Sequence, residues 1–168
     1  MRRTVSTLTL GLIAAAGVAA FATSCGSDTT APSGKVYVAA NMNAAAEGGN
    51  PPFTSAGTGV ATFVDLGTEI DWTLNLTNMT AVTLSHIHLG DATAVAPNPG
   101  PVIINLFLPN VATGTVNGVV AHGSITNANN ANISLDSLRV LFNNGHAYAN
   151  VHTTAHPAGE IRAQIVPQ

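Results

Sequence analysis

Ile70-Asp71-Trp72-Thr73-Leu74-Asn75-Leu76-Thr77 is the stretch that decides the fold class. Its apolar residues alternate strictly with Asp, Thr and Asn, the period of a strand with one buried and one wet face rather than of a helix. Working outward, further strand candidates are Val36 to Ala40, Gly59 to Val64, Val82 to Leu89, Val102 to Leu108, Val116 to Ile125, Ala147 to Thr153 and Glu160 to Val166. Turn-forming clusters separate them: Gly48-Gly49-Asn50-Pro51-Pro52, Pro97-Asn98-Pro99-Gly100-Pro101, Asn127 to Asn132, and Asn143-Asn144-Gly145. Only Ser134 to Phe142, opening Ser-Leu-Asp-Ser-Leu, has room for a short helix or helical turn. About seven or eight short strands divided by turns predict an all-β, antiparallel Greek-key sandwich or barrel. Its expected core includes Trp72, Leu74, Leu76, Val102, Ile104, Val140, Val151, Ile161 and Ile165.

The N-terminal part reads as an address. Arg2 and Arg3 precede an apolar run from Leu8 to Ala22, and small residues Ala22-Thr23-Ser24 stand before Cys25, the chain's only cysteine. The run is short for a membrane span, which takes about 20 apolar residues. Residues 1–24 are therefore expected to be a signal peptide, and 25–35 a flexible Gly/Ser/Thr tether leading to one domain over 36–168. Ala22 to Cys25 resembles a bacterial lipobox, which implies lipidation of Cys25. Ala22 stands where that motif usually has leucine, so plain secretion is the alternative.

After Cys25, Lys35, Arg139 and Arg162 face eight carboxylates, a net side-chain charge of −5. That balance argues against nucleic acid and anionic lipid surfaces as partners. With Cys25 acylated, no thiol is left for a disulfide or a thiolate metal site. The expected membrane contact is the lipid alone, which places the domain on the outer membrane or cell surface.

Three further segments carry a family likeness. They are Ser85-His86-Ile87-His88-Leu89-Gly90-Asp91, the run Gly145-His146-Ala147-Tyr148-Ala149-Asn150-Val151-His152-Thr153 with Pro157 to Ile165, and Ala46-Glu47-Gly48-Gly49-Asn50-Pro51-Pro52-Phe53 before Gly57 and Gly59. Together they resemble the CHRD domain, first described in chordin and common in bacterial envelope proteins. The resemblance implies a β-sandwich and leaves the chemistry open, because that family is defined by its fold more than by an activity.

No residue is assigned a catalytic role. The chain lacks a Gly-x-Ser-x-Gly elbow, a His-Glu-x-x-His helix and a phosphate-cradling glycine loop. Pro157 and Gly159 prevent His156 and Glu160 from sharing a helix face. Glu160 and Arg162 read as surface or cross-strand ion pairs.

His86 and His88 flank Ile87 on one strand, so their rings share a face about 7 Å apart. His152 lies on a later strand whose polar face also carries His146, Tyr148 and Asn150. Three imidazoles so placed are candidate ligands for copper or zinc; packed, hydrogen-bonded structural histidines are the alternative. His122 and His146 read as surface or structural residues, and His156 as a weak ligand candidate. A straight strand would put His86 and His88 on the same face as Val82 and Leu84, a conflict that a bulge or strand break near Ser85 would remove.

This His-x-His strand before Gly90-Asp91, with Val151-His152 and the Arg162 strand, also resembles the copper–zinc superoxide dismutase sandwich. That family's zinc loop and disulfide have no counterpart here, so dismutase activity is not expected. Two functions of different classes follow. One is a lipid-anchored, non-enzymatic envelope module binding a protein or glycan, or serving as a structural coat. The other is a copper- or zinc-binding envelope protein using His86, His88 and His152, with redox chemistry open to it.

Overall fold

The computed structural model describes residues 34–49, 51–94, 99–107 and 113–168. The expected signal peptide, Cys25 and the tether through residue 33 lie outside the described residues, as does Leu108.

In chain order the elements are β1 (Lys35–Met42), α1 (Ala44–Glu47), β2 (Thr58–Asp65), β3 (Ile70–Thr80), β4 (Val82–Leu89) and β5 (Val102–Phe107). They continue with β6 (Thr115–Ile125), α2 (Leu135–Asn144), β7 (Ala147–Thr153), β8 (Ile161–Gln164) and β9 (Val166–Pro167). The strands form two antiparallel sheets, β6-β3-β2-β1-β9 and β5-β4-β7-β8. This is the expected all-β sandwich, open at its edges rather than closed into a barrel. The chain leaves β3 for β4 and β5 in the second sheet and returns with β6 beside β3, a Greek-key path.

The decisive alternation does what its period demands. Ile70, Trp72, Leu74 and Leu76 are buried, while Asn75 and Thr77 face solvent. The phase then slips: Asn78 adopts φ 55, the register with β6 shifts between Leu76 and Met79, and Met79 is buried instead. Asparagine tolerates this left-handed conformation better than most residues. Each buried aliphatic side chain contributes roughly 1.5–3 kcal/mol to the fold.

The expected helical turn is the full helix α2. Ser134 caps it by accepting from the Ser137 N–H, and Gly145 ends it at φ 65. Leu135, Leu138 and Phe142 line its buried face. Phe142 meets both Tyr37 and Phe63 with ring centroids 5.2 Å apart. Outside, Arg139 grips Asp65 with two hydrogen bonds of 2.7 and 2.9 Å.

Two expected core residues are exposed. Val140 lies on the solvent side of α2 and is 56% exposed; Val102 opens the edge strand β5 and is 41% exposed. On β5, register shifts bury Ile103, Ile104 and Leu106 in their place. The short helix α1 arises where the sequence suggested only a strand leading into a turn. Asn43 caps it through the Ala46 N–H, and Gly48 at φ 79 stops it after a single turn. The last strand candidate, Glu160 to Val166, divides into β8 and β9 at the buried Ile165, and Glu160 precedes it.

Candidate metal centre

The central strands β4 and β7 carry the histidines. A two-for-one bulge at Thr83, where Val82 pairs with Thr153 but Leu84 pairs with His152, turns Val82 into the core. A second register shift, against β5, falls between Ser85 and His86. The expected phase conflict is thereby resolved: Ile87 points inward at 0% exposure, and His86 and His88 point to the outer face. Cross-strand partners share a face, so His86 lies beside Asn150 and His88 beside Tyr148, with His152 next along β7.

This outer face is closed over. His86, His88 and His152 are 9%, 6% and 7% exposed. Their nearest candidate ligand nitrogens all lie within 4.8 Å of one another, and His86 Nδ1 is 3.1 Å from His152 Nε2. Two nitrogens on one four-coordinate ion, each about 2.0–2.1 Å from it, stand about 3.3 Å apart. The closer pair already has that spacing; the widest separation exceeds it, so one imidazole must swing inward to complete a three-ligand set.

Backbone carbonyls orient two of the rings. His88 Nδ1–H donates to the Gly100 carbonyl at 2.7 Å, and His152 Nδ1–H donates to the Pro157 carbonyl at 3.0 Å. The Nε2 of each is thus left as an acceptor, the arrangement usual for metal-ligating histidine. His152 Nε2 then receives the Nδ1–H of His86, whereas His88 Nε2 is buried with no hydrogen-bond partner. An ion can take the place of the proton between His86 and His152 once His86 shifts its own proton to Nε2. Gly100 is required for this support: a Cβ there would stand 1.5 Å from the Leu89 carbonyl oxygen.

Burial, reinforced by the mutual repulsion of the imidazolium forms, pushes His86 down to about 4. Burial also lowers His88 and His152, with the Gly100 and Pro157 carbonyls pulling the other way. All three imidazoles are therefore neutral near pH 7, the form that binds metal.

The surroundings correct the expected ion-pair roles of Glu160 and Arg162. Both are buried, and neither forms a salt bridge among the described residues. Glu160 accepts the hydroxyls of Ser55 and Thr153, tying the loop before β2 to the end of β7. Arg162 donates to the carbonyls of Asp91 and Ala94 and to Gln164, with its guanidinium carbon 3.6 Å above the Tyr148 ring. Tyr148 in turn stacks on His88, their centroids 4.9 Å apart and their planes within 7°.

The other histidines stay outside the cluster. His122 is exposed on β6, His146 is exposed just before β7 rather than on its polar face, and His156 stacks on Phe53 at 4.0 Å. Asn150 was legible only as part of a polar strand face. It is 2% exposed, and its Oδ1 has no hydrogen-bond partner. Gly100 and Pro157 could have been suspected only as turn residues, because their role depends on where their carbonyls point.

An antiparallel sandwich with a roofed, polar outer sheet face defines a small all-β module. Residues 38–165 match the CHRD domain family model, and the chain belongs to that family. Membership supports a binding or structural module. No curated protein matches the chain significantly.

Proposed function

We propose that this protein is an exported, non-enzymatic CHRD module of the cell envelope that binds one copper or zinc ion through His86, His88 and His152. The observation carrying the reading is the convergence of three buried imidazoles, two held by backbone carbonyls so that their Nε2 atoms are left as acceptors turned to the cluster. His88 Nε2 is buried and faces the cluster beside the Asn150 side chain, so a neutral nitrogen donor is presented where the three rings meet. Neutral nitrogen donors suit copper and zinc. Envelope placement is supported by the apolar leader and by Cys25, whose acylation would hold the domain to a membrane through the tether. Calorimetric titration of the purified protein with copper(II) and zinc(II), beside a His86→Ala/His88→Ala/His152→Ala variant, tests the site. One equivalent should bind to the wild type and none at comparable affinity to the variant; equal binding by the two would refute the reading.

A further inference from the structure

We propose that the His86–His88–His152 site selects copper(I) over copper(II) and zinc(II), an inference that rests on the metal-site reading above. The donor set is electrically neutral. Among the described residues no carboxylate or thiolate belongs to the cluster. Glu160 is turned to the hydroxyls of Ser55 and Thr153, and Glu47 packs against Gly159. Nothing in the cluster cancels the charge of a bound ion, and a site more than nine-tenths buried replaces little of its hydration. The desolvation cost of an ion rises with the square of its charge, so a divalent ion suffers far more than a monovalent one.

A fixed positive charge adds to this bias. β7 lies between β4 and β8, so Tyr148 stands between His88 and Arg162. The ring stacks on His88 on one side, and the guanidinium carbon sits 3.6 Å from its centroid. Arg162, only 2% exposed, is thus a buried cation one aromatic ring away from a ligand. Its hydrogen-bond acceptors are carbonyls and the Gln164 amide, none of them charged, and the carboxylates nearest it, Glu47 and Asp91, form no salt bridge with it.

The count of donors agrees. Zinc and copper(II) would each have to complete a three-imidazole set with water or a further ligand in a site that is closed over, whereas three nitrogens suffice for copper(I). Among the described residues a further donor beside the site is the Asn150 side-chain amide, cross-strand from His86 and also neutral.

The test is competition on the full-length protein: bicinchoninate for copper(I) without oxygen, nitrilotriacetate for copper(II) and zinc(II). Copper(I) should bind at least a hundredfold more tightly than copper(II). That ratio raises the copper(II)/copper(I) potential about 118 mV above that of the aquo ion, at about 59 mV per tenfold. Asn150→Asp, which adds an anionic donor of the same shape, should narrow the ratio at least tenfold. Tighter binding of copper(II) or zinc(II) than of copper(I) would overturn the selectivity while leaving the metal site standing. Binding of none of the three would overturn both, and an Asn150→Asp ratio equal to the wild type's would refute the charge argument.

Discussion

Glu47→Gln should stabilise the fold above neutral pH and change it little in acid. Glu47 ends α1 at 5% exposure, and its Oε2 has no hydrogen-bond partner. The carboxylate presses against the backbone at Gly159, where a Cβ would stand 2.3 Å from Oε1; that residue, at φ 128, has to be glycine. Burial pushes the carboxyl from its ordinary 4.5 up to about 7, with Arg162 pulling it back. The folded protein therefore holds this proton more tightly than the unfolded chain does. The associated stability is fully present below pH 4.5, declines as pH rises, and is gone above about 7. At about 1.36 kcal/mol per pH unit, ionising the buried group costs the folded state about 3 kcal/mol. Glutamine keeps the shape and removes the ionisation. Urea unfolding of both proteins between pH 4 and pH 8.5 should show the variant gaining about 2–3 kcal/mol over the wild type across that window. Other titrating groups are common to both proteins and cancel in the difference. Parallel stability curves would refute the reasoning.

Cys25→Ser should move the protein from the membrane fraction to the soluble one, measured by fractionation and the mature N-terminus; unchanged partitioning would exclude the lipid anchor. Trp72→Ala should destabilise the domain by about 3 kcal/mol, read by chemical denaturation. The lower end of the usual range applies because Trp72 is 9% exposed and walls a cleft of about 390 Å³ opposite Gly123.

The strand inventory was legible because it rests on local information. β4 and β7 have the bounds that alternation and turn residues suggested, and α2 announced itself through its Ser134 cap. The three histidines could likewise be singled out, since a His-x-His strand puts two rings on one face whatever the fold around it.

Register was not legible. Whether His152 meets His86 depends on pairing residues 66 positions apart and on the bulge at Thr83, which no local pattern encodes. Val102 and Val140 looked like core by type, but an edge strand and the wet side of a helix are properties of the assembled sheets. Glu160 and Arg162 looked like surface charges for the converse reason. Sequence by itself determined the all-β class, as a sandwich or a barrel, and the ligand-type residues. Tertiary structure alone decided that β4 and β7 are neighbours, that the loops bearing Gly100 and Pro157 supply carbonyls to His88 and His152, and that Arg162 lies one ring away. Alternation follows from backbone geometry within a strand, whereas convergence and burial follow from contacts between segments far apart in the chain.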